Sequence, residues 1–470
     1  MSRVNRTEAK GSALTRLGAE SIWLAAAFAL LNVPFWMLSH TNFLSRAWFN
    51  VDLLIPLVIV SYSPLGAIVC LVLLWALDLA VSQSLAWHFH SPFEFIRSVE
   101  FLPSVHVNSY LSLSWLASLI PFIVCGAAAV ALVRWRQRSG RPARTGAAAC
   151  LVLLCVALVD ICNGSTFLWE RTERLLPGNV GGSAVKQVAT SMLPSSSEKL
   201  QSLAPRASLT SQFDVEGWAA KHPDRGVMVV LVESMGLHED PRMRQWLRAQ
   251  LVDDRTGAGF DVVDAVVPFR GSTTSGELRE LCGLTGSYRE LLSTDPAPCL
   301  PRRLSLAGWQ TVGVHGFSHR MFLRGTWWPK LGLDRQLFAE DLSVPGEKLC
   351  GGAFVGICDA DVLGRAFKEL RGGRRFVYAL TLNSHLPLGS VAVPPDLSAL
   401  CGQIDAGDGV CGLTSVLGIA LRAIRTGVEA SDLKPLVLVV GDHAPPFSEL
   451  AWRNEYDQHS VQGFVIVPKE

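Results

Sequence analysis

The sequence predicts an N-terminal α-helical membrane domain followed by an α/β domain, and its composition gives the first reason. The chain of 470 residues is 49% hydrophobic and only 18% charged, which is unusually apolar for a soluble protein. Long runs of Leu, Ala, Val, Ile and Trp are concentrated before residue 165, whereas residues 200–470 have the composition of an ordinary globular domain. We therefore expect two domains of different kinds in one chain.

Five segments approach the roughly 20 apolar residues that a helix needs to cross a bilayer core about 30 Å thick. They are residues 19–38, 47–61, 64–84, 109–134 and 145–163, of which the second is short. We assign residues 1–164 to a membrane domain of about five transmembrane helices. The split between the second and third helices rests on Pro64 and Gly66.

The positive charges of the loops predict the orientation of these helices. Lys and Arg collect before residue 17 and between residues 134 and 144, whereas the loops at 40–48 and 85–108 are poor in both. Since cytoplasmic loops carry the excess of Lys and Arg, five spans place the N-terminus inside and everything after residue 164 outside the cytoplasm. We expect a multi-pass protein of the bacterial inner membrane whose C-terminal domain is in the periplasm.

The cysteines provide an independent test of that orientation. Six of the 11 cysteines lie outside the predicted spans, as the near neighbours Cys282 and Cys299, Cys350 and Cys358, and Cys401 and Cys411. An even number with short spacings predicts three local disulfides in an exported domain, although six cysteines permit about 15 connectivities. A zinc cluster is the rival interpretation, but no CxxC spacing occurs. The net charge of +1 argues against a nucleic-acid partner.

The exported part divides into a linker and a folded domain. Residues 165–225 are rich in Pro, Gly and Ser, which predicts a linker with interfacial helices. In residues 226–470, apolar runs alternate with helix-like segments, which is typical of a mainly parallel sheet covered on both faces. The runs are 226–232, 310–315, 375–382 and 435–441.

A polar side chain with metal-binding or acid–base chemistry follows each of these runs. The residues are Glu233, His315, His385, and Asp442 with His443. Because ligands of open α/β sheets bind beyond the carboxyl ends of the strands, we expect these side chains to converge. One such residue is usually a cap, but all of them together indicate a catalytic metal site. Carboxylate oxygen with imidazole nitrogen favours Zn²⁺ or Mn²⁺ over Ca²⁺ or Mg²⁺.

The stretch GSTTSGE, residues 271–277, places two threonines at the predicted start of a helix. Thr274 and Glu277 have the spacing of a capping box, in which each side chain bonds to the other's backbone N–H. A helix N-terminus also favours an alkoxide and a phosphate. Both interpretations hold together if Thr274 caps the helix while Thr273 points at the metal.

Five motifs, in the order LVESMG, GSTTSGE, GVHGFSHRMFLRG, TLNSHLP and VVGDHAPPF, give the chain a family resemblance. It resembles the sulfatase-like branch of the alkaline phosphatase superfamily. The nearest likeness is to the membrane phosphoglycerol transferases of the lipoteichoic acid synthase type and of periplasmic glucan synthesis. Next come the phosphoethanolamine transferases that act on lipid A. The resemblance implies a sulfatase-like α/β domain in residues 226–470.

The resemblance also implies roles for individual residues. Glu233, Asp442 and His443 would bind a divalent metal together with a threonine nucleophile. Aligning Gly276 and Glu277 with the family pattern makes Thr273 the nucleophile, whereas counting from Gly271 selects Thr274. We expect Thr273 to be the nucleophile and a metal ligand, and Thr274 to belong to the substrate-binding set. The remaining positions are His385 at the substrate phosphate or leaving oxygen, Arg324 in the donor head-group pocket, and His315 in the matching HG motif.

Two further residues each allow more than one interpretation. Trp327 could stack on a sugar or lie at a lipid interface, or it could pack in the core. His459 could be another metal ligand or an exposed loop residue. We expect Trp327 in the substrate-binding set and His459 outside the metal set.

The activity implied is transfer of a phospho-alcohol head group, phosphoglycerol favoured, from a phospholipid donor through a phosphothreonine to a glycan or glycolipid acceptor. The APPFSEL stretch after GDH differs from the phosphoethanolamine pattern, which weakens the assignment to a phosphoethanolamine transferase. Two rival functions are a phosphodiester hydrolase and a catalytically silent glycan-binding membrane protein. The absence of a C/S-x-P-x-R motif argues against sulfate ester hydrolysis.

Overall fold

The computed structural model describes residues 4–106, 118–138, 142–163, 180–192, 199–296 and 298–469. The chain divides into two compact units. The first comprises Met1–Trp87, Ser91–Phe93 and Leu111–Leu193, and the second comprises His88–His90, Glu94–Tyr110 and Pro194–Glu470. The predicted linker, 165–225, therefore contributes to both units, and parts of it lie outside the described residues.

The first unit is built from long apolar helices, which confirms the predicted membrane domain. The helices are Val4–Ser39, Pro64–Ala86, Ile120–Gln137 and Pro142–Cys162. Each contains a stretch long and apolar enough to cross a bilayer. Large apolar side chains such as Leu73 and Ile123 are 64% and 69% exposed on these helices, as expected for surfaces that face lipid.

The segment predicted as the second span, 47–61, has a different structure. Strand Phe49–Asn50 and the 3₁₀ turn Val51–Leu53 precede a helix of only 6 residues, Leu54–Ile59. Such a helix is about 9 Å long and cannot cross a bilayer core by itself. Among the described residues, the fifth helix of membrane length and apolarity is instead Asp408–Glu429, in the second unit. Part of the predicted span 109–134 lies outside the described residues.

A buried ion pair links the helices of the first unit. Arg46 Nη2 lies 2.8 Å from Asp78 Oδ2 and donates to Asn32 Oδ1 at 3.0 Å. The three side chains are at most 9% exposed. Because charges in an apolar domain need partners, this network holds the first helix, the following segment and helix Pro64–Ala86 together.

The second unit contains an eight-stranded sheet, which confirms the predicted α/β class. In chain order its strands are β1 Val227–Val232, β2 Gly236–His238, β3 Phe260–Pro268, β4 Gln310–His315, β5 Arg335–Leu337, β6 Arg375–Leu380, β7 Leu436–Gly441 and β8 Tyr456–Pro468. The order across the sheet is β2-β8-β7-β1-β6-β4-β5, and β3 also pairs with β8. Strands β7, β1, β6, β4 and β5 are parallel, whereas β8 is antiparallel to its neighbours. The four predicted runs are therefore the parallel centre of the sheet.

Helices cover both faces of this sheet. Strand β1 is buried at all six positions, with Met228, Val230 and Val232 in one apolar cluster and the intervening residues in the other. The first cluster includes residues of helices Pro241–Leu251, Asp359–Glu369 and Asp408–Glu429. The second includes residues of helices Thr273–Cys282, Leu300–Leu306 and Arg324–Leu331. Burial on both faces explains why the strands read as continuous apolar runs.

The remaining elements are short. The other helices are Pro92–Arg97, Ala184–Ser191, Leu209–Gln212, Val215–Lys221, Asp254–Gly259, Glu290–Ser293, Ala339–Leu342, Pro395–Ile404 and Leu450–Arg453, with 3₁₀ turns at Ser98–Ser104 and Met321–Leu323. Two-residue strands pair as Phe49–Asn50 with Gly181–Gly182, Gln201–Ser202 with Leu284–Thr285, and Leu349–Cys350 with Gly356–Ile357. The three predicted disulfides are confirmed: Cys282–Cys299, Cys350–Cys358 and Cys401–Cys411.

Candidate metal centre

Three metal-type side chains meet at the carboxyl ends of two adjacent strands. Glu233 follows β1, and Asp442 and His443 follow β7, which is paired with β1. One ligand atom from each residue lies within 4.8 Å of the others. All three residues are buried, at no more than 4% exposure. The parallel pairing of β1 and β7 thus brings together side chains that are far apart in sequence.

The two buried carboxylates of this group favour a bound cation. Burial, and then the nearby Glu233, raise the pKa of Asp442 to about 7. Asp442 Oδ1 accepts hydrogen bonds from the backbone N–H groups of Ser234 and His443, at 2.8 and 2.7 Å. Within the described part of the chain, Asp442 Oδ2 is buried and accepts no hydrogen bond. Because a buried carboxylate oxygen without a partner is costly, this atom fits a metal ligand.

The ring of His443 is oriented for metal binding. Its Nδ1 lies 2.9 Å from the carbonyl oxygen of Ala444, which can only accept, so Nδ1 carries the proton. The lone pair of Nε2 then faces Asp442 Oδ2 at 3.2 Å and Glu233 Oε1 at 3.6 Å. A backbone carbonyl that holds the second ring nitrogen is the usual arrangement of a metal-binding imidazole. This donor set of two carboxylates and one imidazole fits Zn²⁺ or Mn²⁺.

The structure brings Thr273, and not Thr274, to this group. Thr273 is the first residue of helix Thr273–Cys282, and its Oγ1 donates to Glu233 Oε2 at 3.0 Å and lies 3.4 Å from His443 Nε2. The Oγ1 of Thr274 lies 3.5 Å from Ser272 Oγ instead. A side chain at position 276 would place its Cβ 3.0 Å from Asp442 Cβ, so Gly276 permits the close approach of the helix.

The predicted capping box of Thr274 and Glu277 is wrong. The N-cap of the helix is Ser272, without a side-chain capping bond. The fully buried carboxylate of Glu277 accepts from Arg324 Nε at 2.9 Å and from Trp328 Nε1 at 2.8 Å. A buried guanidinium interacts with a carboxylate much more strongly than a backbone N–H does, so tertiary pairing prevails over the local cap.

Three predicted substrate-binding residues are buried. Arg324 is 3% exposed and pairs with Glu277 at 2.8 Å, so its predicted role at the donor head group stays a prediction. Trp327 is 0% exposed and donates to Phe322 O at 2.9 Å, which favours the core-packing alternative, and its assignment to the substrate-binding set stays a prediction. His315 donates from Nδ1 to Leu380 O at 3.0 Å. Burial, and then the charge of Arg324, lower the pKa of His315 to about 3.

Neither His315 nor His459 belongs to the three-residue metal group. Among the described residues, that group is Glu233, Asp442 and His443. His459 is exposed on β8, as expected.

His385 lies close to the metal group. Its Nδ1 donates to the carbonyl of Leu386 at 2.8 Å, which leaves the lone pair on Nε2, and its ring centroid is 4.1 Å from that of Phe354. Burial lowers the pKa of His385 to about 4, and the charges of His443 and Asp442 act on it as smaller causes. The ring is therefore a neutral hydrogen-bond acceptor near the site.

Sequence reasoning missed the residues that hold Glu233 and His385 in place. Asp359 accepts from the backbone N–H groups of Leu382 and Asn383 at 2.8 and 2.9 Å, and burial raises its pKa to about 7. Ser384 donates to the backbone carbonyl of Glu233. Ser384 and Asn383 belong to the NSH motif and could have been found there, whereas Asp359 has no local signal.

Ser234 and Arg279 complete the support of the metal group. Ser234 has φ of +54° and donates from Oγ to Glu233 Oε1 at 3.0 Å. A non-glycine residue in the left-handed region persists where its surroundings compensate the strain, and such residues are enriched at functional sites. Arg279, in helix Thr273–Cys282, donates to the carbonyl oxygens of Gly441 and Asp442 and so ties the helix to the ligand loop.

Several solved structures are similar to part of this chain. No family model matches the sequence, and no curated relative matches it. The lipoteichoic acid synthase LtaP from Listeria monocytogenes is similar, with 13% identity, a TM-score of 0.39, and 53% of this chain and 66% of that chain covered. The match thus spans less than two thirds of the length of LtaP.

Two more solved structures are similar. The Streptococcus pyogenes phosphoglycerol transferase GacH, in complex with sn-glycerol-1-phosphate, has 15% identity and a TM-score of 0.38, with 56% of this chain and 77% of that chain covered. The C-terminal periplasmic domain of Escherichia coli EptC, in complex with Zn, has 13% identity and a TM-score of 0.34, with 53% and 74% covered. What this chain can do is decided by the residues that its own structure brings together.

Proposed function

We propose that the protein is a metal-dependent transferase that moves a phospho-alcohol head group, phosphoglycerol favoured, from a phospholipid to a glycan or glycolipid acceptor. One observation carries the proposal. The Thr273 hydroxyl lies 3.0 Å from Glu233 and 3.4 Å from His443, in a buried group where Asp442 keeps an unpaired oxygen. The motif resemblance supports the same reaction. The APPFSEL and TLNSHLP stretches favour phosphoglycerol over phosphoethanolamine.

Glu233, Asp442 and His443, with the Thr273 oxygen, would hold a divalent ion, Zn²⁺ or Mn²⁺. When bound, such an ion lowers the pKa of a hydroxyl and neutralises charge on a phosphoryl oxygen. The buried, unpaired Asp442 Oδ2 and the lone pair of His443 Nε2 support this assignment.

The first step of the proposed reaction forms a covalent intermediate. Thr273 Oγ1 donates to Glu233 Oε2, so this carboxylate is placed to accept the proton of the nucleophile. The threonine oxygen bonds to the phosphorus of the donor while the bond to diacylglycerol breaks, and the diacylglycerol oxygen takes up a proton. The N-terminus of helix Thr273–Cys282 favours the negative charge of the phosphate.

The second step regenerates the free hydroxyl of Thr273. An acceptor hydroxyl attacks the phosphorus of the phosphothreonine, and the bond between phosphorus and Thr273 Oγ1 breaks. The neutral His385 accepts the proton of the acceptor hydroxyl on Nε2, and Glu233 returns to Thr273 the proton that it took up in the first step. Arg324 is buried and held by Glu277 at 2.8 Å. We assign it to the donor head group or phosphate.

We place this reaction at the periplasmic face of a bacterial inner membrane. The helices of the first unit support a membrane location, and three disulfides in the second unit support an exported domain. A phospholipid donor is consistent with a catalytic domain joined to a membrane domain.

The test is peptide mass spectrometry of the full chain, metal-replete and incubated with phospholipid vesicles, for wild type, Thr273→Ala and Thr274→Ala. We expect an adduct of phosphoglycerol mass on the peptide containing residues 273 and 274, lost in Thr273→Ala and kept in Thr274→Ala. An adduct of phosphoethanolamine mass would identify phosphoethanolamine, and not phosphoglycerol, as the transferred group. Release of free phospho-alcohol without transfer to added glycan would identify a hydrolase. The absence of both an adduct and free phospho-alcohol would refute the catalytic proposal.

A further inference from the structure

The segment His88–His90 belongs to the second unit, although in sequence it lies between the apolar helices Pro64–Ala86 and Ile120–Gln137. It carries the sequence His-Phe-His. Both imidazoles bond to elements that carry the metal centre, and neither has a part in the proposed transfer reaction. Their contacts are therefore the most informative feature that the reaction leaves unexplained.

His88 shares a hydrogen-bond acceptor with the metal-type ligand His443. The carbonyl oxygen of Ala444 lies 3.1 Å from His88 Nε2 and 2.9 Å from His443 Nδ1. A carbonyl has two lone pairs and can accept from both rings. The His88 ring centroid also lies 5.2 Å from those of His443 and Phe269. The orientation of His443 thus depends on a carbonyl that His88 fixes.

The backbone of His88 is held in an unfavourable conformation. Its φ is +62°, in the left-handed region that few non-glycine residues adopt. Such a conformation costs of order 1–3 kcal/mol and persists where surrounding contacts determine it. In this conformation the imidazole contacts Ala444 O at 3.1 Å.

His90 bonds to the helix that carries Thr273. Its Nε2 lies 2.7 Å from the Oγ of Ser275, the third residue of helix Thr273–Cys282. A Cβ at Gly271, whose φ is +85°, would lie 2.7 Å from His90 Nε2, so glycine leaves room for this contact. The backbone N–H of His90 donates to Glu94 Oε2 at 3.0 Å, and Glu94 Oε1 accepts from Ser287 at 2.8 Å.

The residues after His90 are anchored around the same site. Phe101 packs in a buried cluster with Phe354, whose ring lies against His385. The backbone N–H of His106 donates to Ala353 O at 2.8 Å, and Arg289 pairs with Glu100. These contacts fix the path of the segment on both sides of the site.

We propose that His88 and His90 are positioning residues of the metal centre. His88 acts through the Ala444 carbonyl on the His443 imidazole, and His90 acts through Ser275 on the start of the helix that carries Thr273. The two residues thus hold the metal-ligand side and the nucleophile side of one site. The inference rests on the proposed function, because it requires that the cluster bind a metal and that Thr273 react.

The two contacts have separable consequences. Loss of a group that orients a metal ligand typically costs 10–100-fold in metal affinity. We therefore expect His88→Ala to weaken metal binding by about 10-fold or more. We expect His90→Ala to leave metal affinity within about 3-fold and to slow adduct formation on Thr273 by about 10-fold, because a small displacement of a nucleophile is costly.

The experiment measures metal affinity and adduct formation separately, on the full chain in detergent. Zn²⁺ affinity is taken from competition with a fluorescent chelator, and the adduct rate from mass spectrometry with phospholipid vesicles. His88→Gln and His90→Gln keep an N–H donor at similar reach and should recover most of each loss. His106→Ala is the matched control, since His106 is an exposed histidine of the same region whose observed bond uses only its backbone N–H.

The possible outcomes separate this inference from the function on which it rests. If His88→Ala and His90→Ala behave like His106→Ala while wild type binds Zn²⁺ and forms the adduct, the positioning role is refuted and the proposed function stands. A wild type that neither binds Zn²⁺ nor forms an adduct refutes both. Equal loss in the Ala and Gln variants would show that the imidazoles act by packing, which also refutes the hydrogen-bond role.

Discussion

Replacing Gly276 by Ala should push the nucleophile helix away from Asp442. The new Cβ would lie 3.0 Å from Asp442 Cβ and 3.1 Å from Asp442 Cα, so the helix or Asp442 must move by a few tenths of an ångström. Asp442 cannot move freely, because Ser234 and Arg279 hold its carboxylate and carbonyl. Overpacking costs about 1–3 kcal/mol, against a helix-propensity gain of up to about 1 kcal/mol, so we expect a net loss of about 0–3 kcal/mol.

Gly364→Ala is the matched control, because Gly364 also lies within a helix but has no heavy atom within 4 Å of its built Cβ. It should stabilise the protein by about 0.5–1 kcal/mol. Denaturant unfolding with chelator present, together with Zn²⁺ titration of the folded protein, compares the two variants. We expect metal affinity to fall only in Gly276→Ala. Equal stabilisation of both variants with unchanged Zn²⁺ affinity would refute the tight contact between helix and ligand loop.

Two further predictions follow from buried charges. Because the pKa of Asp442 is raised to about 7, a metal must displace its proton at lower pH; Zn²⁺ affinity should fall about 50-fold from pH 7 to pH 5, or about 2.3 kcal/mol, and a flat profile in a chelator competition would contradict this. Glu277→Gln leaves the buried Arg324 unpaired and should cost about 3–5 kcal/mol in denaturant unfolding. Glu216→Gln, which removes the exposed partner of Arg303, should cost under about 1 kcal/mol. An equal loss of unfolding free energy in the two variants would contradict the larger contribution expected of the buried pair.

The metal group shows which site residues can be predicted from local sequence pattern. Glu233, Asp442 and His443 were predicted to converge because each follows an apolar run, and parallel strands end at one edge of a sheet. The same rule also predicted convergence of His315. It did not show that His315 turns back to bond Leu380 O, because strand ends fix where a backbone lies and not where a side chain points.

The nucleophile helix shows where local pattern is insufficient. The spacing of Thr274 and Glu277 fits a capping box, yet Glu277 bonds to Arg324 and Trp328 instead. The choice between Thr273 and Thr274 depends on the rotation of a helix about its axis relative to β1 and β7. That rotation is set by packing, to which the approach of Gly276 to Asp442 contributes.

By itself, the sequence determined the apolar helices, the parallel centre of the sheet and the three local disulfides, because these depend on burial, continuous apolar runs and short chain spacing. Tertiary structure alone decided the short helix Leu54–Ile59, the burial of Trp327 and the place of His88 and His90. The contacts of His88 and His90 join residues 356 and 185 positions apart. No local pattern records such contacts, because their energy comes from partners that the chain meets only after it has folded.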